Sequence, residues 1–154
     1  MWEDRYAATD AYLFGEEPAQ VLLENPWLAV PEGRALFVAD GEGRNSVHLA
    51  KSGMTVTSFD LAPTAVARAR DLASKMGVSV QSHVSTWEEW DWAQSFDVVV
   101  GIFIQFMPPA QRVGQFKDLA KAVRPGGRLV LHGYTPEQVK LGTGGPPSAD
   151  NMYT

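Results

Sequence analysis

The sequence predicts an α/β protein, a doubly wound sheet of five parallel strands in the spatial order 3-2-1-4-5. Three observations carry this. Short apolar runs rich in β-branched residues alternate with helical segments, as strands joined by crossover helices do. The run Val98-Val99-Val100 shows no polar alternation, so its strand is central and buried on both faces. The first apolar run, Leu36 to Ala39, ends in Asp40 and the turn Gly41-Glu42-Gly43, after which a helix begins. Glycines at such a junction let the backbone turn tightly and leave no side chain between main chain and ligand.

Each element follows from local signals. Pro18 to Asn25 is a short helix with proline in its first turn, where an amide hydrogen is not needed. Ala35 to Ala39 is the first strand. Asn45 to Ser52 is a helix, with Gly53 as its C-terminal cap. Thr55 to Phe59 is the second strand. Pro63 to Met76 is a helix that Gly77 terminates. Val78 to Val84 is the third strand, and its alternation of valines with polar residues places it at an edge. A helical turn carrying Trp87, Trp90 and Trp92 leads to the fourth strand, Phe96 to Ile102. Pro109 to Val123 is a helix. Arg124-Pro125-Gly126-Gly127 is a tight turn. Arg128 to Gly133 is the fifth strand. Tyr134 to Thr154 is rich in glycine and proline, with one helical turn expected at Pro136 to Lys140.

A chain of 154 residues fits one domain, 1–154, around a single core. Within it, 35–133 is the α/β core, 1–30 an N-terminal segment with its helix, and 134–154 a tail. The net charge of −5 argues against nucleic-acid backbones and anionic membranes as partners and suits a cationic ligand. With no cysteine, disulfides, thiolate metal sites and a thiol nucleophile are excluded. The acidic start Met1-Trp2-Glu3-Asp4-Arg5-Tyr6 is not a secretory signal, and a cytoplasmic location is expected.

In the order 3-2-1-4-5 a ligand binds outside the carboxyl ends of the first and fourth strands, where the order reverses. Asp40-Gly41-Glu42-Gly43 and Gly101-Ile102-Phe103 should then face each other across it. Asp60 ends the second apolar run. Positions 40 and 60 have the spacing that brings a second carboxylate to a pair of ribose hydroxyls. The helix after the turn offers unpaired amides to an anionic group. Two details discriminate among nucleotides. Ser46 stands where a dinucleotide fingerprint has its third glycine. Asp40 directly precedes the first glycine, and its carboxylate repels a pyrophosphate but suits a ligand bearing an ammonium and a sulfonium. S-adenosylmethionine carries both. Both details speak against the competing reading, a NAD-dependent oxidoreductase. A bare strand-to-helix turn is the remaining alternative.

The sequence resembles the class I S-adenosylmethionine-dependent methyltransferases, within them the tellurite-resistance and thiopurine methyltransferase-like group. Four segments carry the resemblance. They are Trp2…Arg5-Tyr6 with Tyr12-Leu13-Phe14-Gly15 and Pro18; the turn Asp40 to Asn45; Phe96 to Val100 with Ile102 to Phe106; and Arg124 to Gly127 with Gly133 to Gln138 and Gly142 to Pro147. The resemblance implies a Rossmann-like sheet that in relatives has seven strands, of which this chain lacks the last two. It implies that the glycine turn, with Glu42 and Asn45, carries the cofactor's methionine part, and that Asp60 and Leu61 meet its ribose. Ser85, Thr86 and Trp87 would flank the adenine, Gly101 and Ile102 would lie along the cofactor, and Tyr12, Phe14 and Gly15 would close over it as a lid. Three departures stand out. Thr86 replaces an aspartate common in relatives, Ile104-Gln105 replaces a Cys-His pair, and the chain is short.

Methyl transfer from a sulfonium is an in-line displacement in which the protein orients the partners and excludes water. A thiolate, a selenium or tellurium anion, or an amine needs no dedicated base, which fits a chain without a catalytic constellation. His48, His83 and His132 have no metal-ligand spacing, so no metal is expected. His83 reads as a surface residue. His132, at the carboxyl end of the fifth strand, borders the expected cleft. Gln105, Phe106, His132 and Tyr134 are the acceptor-side candidates, with core packing the alternative for Phe106 and Met107. Trp90 and Trp92 read as anchors to the sheet. Expected partners are a small-molecule methyl acceptor and a second copy of the chain, through the fifth-strand edge or exchange of the tail. A non-catalytic domain that binds the cofactor and self-associates is the alternative function.

Overall fold

The computed structural model describes residues 2–13, 15–102, 104 and 109–133. The elements are α1 (Trp2–Ala7), α2 (Gln20–Glu24), a 3-10 turn (Pro26–Leu28), β1 (Arg34–Val38), α3 (Arg44–Lys51), β2 (Thr55–Asp60), α4 (Pro63–Lys75), β3 (Val80–Val84), β4 (Phe96–Ile102), α5 (Pro109–Ala122) and β5 (Val123–His132). The five strands form one parallel sheet in the order β3-β2-β1-β4-β5, so the predicted architecture and topology hold.

The two-residue period of the strands splits the core into two layers. Ala35, Phe37, Val98 and Val100 point to one face and pack with Leu22, Leu28, Leu49 and Val56. Leu36, Val38 and Val99 point to the other and pack with Phe59, Phe96, Leu119 and Ala122. Full burial of the Val, Leu and Phe side chains among these contributes about 1.5–3 kcal/mol each. The central position of β4 follows, since Val98, Val99 and Val100 are all at most 1% exposed. β3 and β5 are the outer strands of the described sheet.

Four local expectations are corrected. The chain opens with α1, which the sequence reading left unassigned, and the N-terminal helix shortens to α2 followed by the 3-10 turn. β3 starts at Val80 because the end of α4 takes the residues before it: Gly77, at φ 73°, and Val78 donate to the carbonyls of Ser74 and Ala73. That is a helix stop closed by a left-handed glycine. Between β3 and β4 the tryptophan segment forms turns rather than a helix. Finally, Arg124 to Gly127 lie within the span of β5. Phe96 pairs with Val123 and Val98 with Arg128, so these four residues bulge out between the two pairs. Gly126 there has φ 83°, and a Cβ on Gly127 would stand 2.7 Å from the Asp97 carbonyl oxygen. Asp97 ties the bulge down, pairing with Arg124 and accepting the Arg34 amide at 2.7 Å.

Candidate functional site

At the carboxyl end of β1 the backbone leaves the sheet abruptly. Ala39 has φ 48°, a left-handed conformation that costs a residue with a Cβ about 1–2 kcal/mol. Strain of this kind is kept where the neighbouring structure over-determines it. Here the Asp40 amide is fixed to the Phe59 carbonyl at 3.1 Å. The Asp40 carboxyl accepts the Ser46 hydroxyl at 2.5 Å on one oxygen, while its other oxygen, Oδ1, is buried with no hydrogen-bond partner. Burial, reinforced by the charge of Asp60 and only partly opposed by Ser46 and Ser58, pushes this carboxyl from 3.8 up to about 8. Asp60, at the end of β2, accepts the Gly41 amide at 2.8 Å and the Ala62 amide at 2.9 Å. Burial raises its pKa too, against the pull of those amides.

The glycines serve two different surfaces. A Cβ on Gly41 (φ 64°) would stand 2.9 Å from the Tyr6 hydroxyl, and one on Gly43 (φ 87°) would stand 2.7 Å from the Ala69 Cβ. Gly41 therefore admits Tyr6 over the turn. Gly43 lets α3 and α4 touch. Ser46, which stands at the third glycine position of a dinucleotide fingerprint, spends its hydroxyl on Asp40.

The N-terminal segment lies against this turn. Glu42, 5% exposed, accepts the Leu13 amide at 2.6 Å and pairs with Arg68 at 2.8 Å. Tyr12 donates its hydroxyl to the Arg68 carbonyl at 2.8 Å. Gly15, at φ 79°, bends the chain after it. Asn45 accepts the Ala19 amide at 2.7 Å, so its side chain holds the start of α2. Tyr6, 4% exposed, has its phenol held well above the ordinary value by burial, then by Asp60, Glu42 and Asp40.

On the side assigned to adenine, Leu61 is 61% exposed beside Asp60. The Thr86 hydroxyl is committed within its own turn, donating to Glu89 at 2.8 Å and accepting the Glu89 amide at 3.1 Å. The Thr86 carbonyl also accepts the Ser85 hydroxyl, at 2.8 Å. Trp87, Trp90 and Trp92 gather around Phe59, with Trp90 stacked on it at 4.5 Å. The Trp87 indole is buried and donates to Asp118 at 2.9 Å, so it belongs to the core beneath the turn. His83 is on the surface, its ring 5.6 Å from that of Trp90.

A Cβ on Gly101 would meet Ile104 Cδ1 at 2.7 Å and Leu131 Cδ2 at 3.3 Å, so a larger residue there displaces the ends of those side chains. Ile102 pairs with His132 across β4 and β5, and both are half-buried at the carboxyl edge of the sheet. Phe14, Gln105, Phe106 and Tyr134 lie outside the described residues. Asp40 to Asn45, Asp60, Leu61 and Tyr12 are thus brought to one end of β1 and β2. Thr86 stands at the end of β3, and Gly101 and Ile102 at the end of β4.

Sequence reasoning did not select Tyr6 and Arg68. Tyr6 lies in the segment Trp2…Arg5-Tyr6 that carries the family resemblance, but nothing local marks it or Arg68 as a site residue, since each reaches the turn from a separate helix. The assembled site is acidic, with three carboxylates around a glycine turn and one buried oxygen unpartnered. Such an arrangement suits a ligand with a cationic group and vicinal hydroxyls. Among the described residues no cluster of His, Asp and Glu is placed to hold a metal ion. Two cavities of about 350 and 150 Å³ open at the opposite end of the sheet. The first has no charged lining, and the charges of the second are spent on the Asp97–Arg124 pair and on Arg128 over Trp27. Neither competes with the acidic end.

Comparison with known proteins agrees with this placement of the core. A methyltransferase-domain family profile matches residues 35–127. An uncharacterized protein of Mycobacterium tuberculosis is 33% identical over 109 residues, which are 70% of this chain and 39% of that protein. A ubiquinone biosynthesis O-methyltransferase of Paramagnetospirillum magneticum is 38% identical over 99 residues, 62% of this chain and 39% of that protein. Magnesium protoporphyrin IX methyltransferase of Synechocystis, solved with bound SAH, superposes with a TM-score of 0.66 at 19% identity. It covers 79% of this chain and 54% of that one. The chain thus spans about two-fifths of the length of these two sequence relatives.

Proposed function

The chain belongs to the methyltransferase-domain family, and on that premise we propose that it binds S-adenosylmethionine at the carboxyl ends of β1 and β2 and serves methyl transfer to a small-molecule acceptor. The observation that carries the reading is the buried, unpartnered Asp40 Oδ1 beside Gly41, with Asp60 at the end of the next strand. An orphaned buried acceptor is costly unless a donor or cation completes it. An ammonium group does so and returns the carboxyl to its charged form.

When bound, the cofactor supplies an electrophilic methyl group on a sulfonium. The chain's own residues bind and orient it. Asp60 keeps lone pairs beyond the two amides it accepts, and these can take ribose hydroxyls. Leu61 offers an apolar surface beside them. The glycine turn and the amino end of α3 receive the methionine part, and the Tyr6-bearing segment shields the site from water. We further place the chain in the tellurite-resistance and thiopurine methyltransferase-like group, on the segments around Tyr12-Leu13-Phe14-Gly15 and Gly133-Tyr134-Thr135-Pro136. The acceptor that fits this reading is already nucleophilic, a thiolate, chalcogen anion or amine, since no base is needed for it.

Titration calorimetry tests the reading. S-adenosylhomocysteine should bind and NAD should not, and Asp60→Ala should weaken the former by about 1–3 kcal/mol through lost charged hydrogen bonds. Binding of NAD without S-adenosylhomocysteine would overturn it. Release of S-adenosylhomocysteine across a panel of thiols, metalloid oxyanions and amines then identifies the acceptor class.

A further inference from the structure

We propose that Arg68 is a positioning residue that clamps the N-terminal segment 9–13 onto the glycine turn, so that closure of this segment and affinity for the cofactor are set together. The proposal rests on the cofactor reading above, but Arg68 itself takes no part in the contacts given there. Its guanidinium, on α4, joins three pieces of chain. Nη1 pairs with Glu42 at 2.8 Å and donates to the Ala11 carbonyl at 3.3 Å, while Nη2 donates to the Thr9 carbonyl. The Arg68 main-chain carbonyl accepts the Tyr12 hydroxyl at 2.8 Å. Glu42 completes the clamp. It lies between Gly41 and Gly43, and its second oxygen accepts the Leu13 amide at 2.6 Å. One carboxylate is therefore held by the segment on one side and by the clamp on the other.

The bonding pattern selects arginine. A planar fork with five donors can reach two backbone carbonyls and a carboxylate at once, whereas a lysine ammonium cannot span them. Two of the acceptors are main-chain, so Arg68 fixes the path of the segment rather than any side chain on it. The pair is largely enclosed, with side chains 14% and 4% exposed, so breaking it would leave the Glu42 charge buried without its partner. A second anchor holds the other end. Glu3 on α1 accepts the Thr64 amide at 3.0 Å at the start of α4. Between the anchors, the Tyr6 hydroxyl lies over Gly41, the glycine whose amide Asp60 holds. Leu13 packs against the cluster of Tyr6, Ala62 and Ala65, so releasing the segment at Arg68 removes part of the packing that holds Tyr6 over the Gly41–Asp60 pair.

The test uses Arg68→Lys, which keeps a positive charge beside Glu42, and Arg68→Gln. Hydrogen exchange without ligand reads the clamp directly. Amides of residues 11–13 should exchange at least about tenfold faster in Arg68→Lys, with the amides of β1 and β4 unchanged. Calorimetry with S-adenosylhomocysteine should show Kd rising about tenfold in Arg68→Lys and further in Arg68→Gln. Unchanged exchange at 11–13 would mean that Arg68 does not hold the segment. Faster exchange with an unchanged Kd, or a lower melting temperature with an unchanged Kd, would reduce Arg68 to a purely structural residue. If the wild-type protein fails to bind S-adenosylhomocysteine, the cofactor reading falls and the affinity half of the proposal falls with it, while the exchange comparison still decides the clamp.

Discussion

Asp40 carries an electrostatic cost that depends on pH. Its carboxyl is shifted from 3.8 to about 8 by burial, so between these values the folded protein holds a proton that the unfolded chain has released. Stability therefore falls as pH rises through this window, by up to about 5 kcal/mol at about 1.4 kcal/mol per pKa unit. Asp40→Asn keeps the shape and removes the ionisation. Thermal melts of the cofactor-free protein should show a stability decline from pH 4 to 8 in wild type that is flatter in the variant. The variant should therefore melt higher at pH 8. The effect arises because Oδ1 is buried without a hydrogen-bond partner. The cofactor's ammonium needs the charged carboxylate, so wild-type affinity for S-adenosylhomocysteine should rise with pH toward 8. In Asp40→Asn it should be weaker and lack this dependence. A variant that unfolds while its folded fraction binds as well as wild type would make Asp40 structural only.

At the scale of elements, the contact between α3 and α4 is set by Gly43 and Ala69. Gly43→Ala adds a Cβ 2.7 Å from the Ala69 Cβ and forces a residue with a Cβ to φ 87°. These are two separable costs, overpacking of about 1–3 kcal/mol and backbone strain of similar size. Chemical denaturation should show Gly43→Ala destabilised by several kcal/mol, with Ala69→Gly in the same chain restoring only part of the overpacking share, because the Cα of residue 69 would still stand 2.9 Å from the added Cβ. Full restoration would mean that neither the left-handed conformation nor the contact with the residue 69 backbone costs anything there. The glycine pattern around Gly43 was legible in the sequence, because a strand-to-helix turn demands it. What Gly43 faces was not, because Ala69 reaches it from another helix, and the same reason kept Tyr6 and Arg68 out of view. Thr86 and Trp87 illustrate the converse. Their positions at the end of β3 followed from strand register, but their side chains are spent on Glu89 and Asp118.

For the whole molecule, the consequence of the topology is an outer strand with apolar character. Among the described residues β5 has β4 beside it and no strand beyond, and Leu129 is 38% exposed. A strand edge of this kind is a template for pairing. The expected outcome is self-association through β5, seen by light scattering at micromolar concentration as a dimer or larger species that Leu129→Lys weakens. A strictly monomeric protein with β5 amides protected along both sides would contradict it. Light scattering and calorimetry can be run on the same preparation.

The sequence by itself determined the α/β class, the strand order and the place of the glycine turn. Each of these rests on short-range signals: alternation of two in a strand, unbroken valines in β4, and Asp40-Gly41-Glu42-Gly43 at a strand end. It missed α1 and set the tight turn Arg124 to Gly127 outside β5, because amphipathic pattern and turn propensity at six or four residues are easily outweighed by packing. The tertiary structure alone decided which groups meet at the site. Asp40 is buried with an oxygen unpartnered, Asp60 grips the Gly41 amide, Tyr6 covers that glycine, and Arg68 ties residues 9–13 to Glu42. The latter two contacts join segments tens of residues apart in the chain. No local period encodes such a meeting, because it arises only when α1 and α4 dock at the carboxyl end of the same sheet.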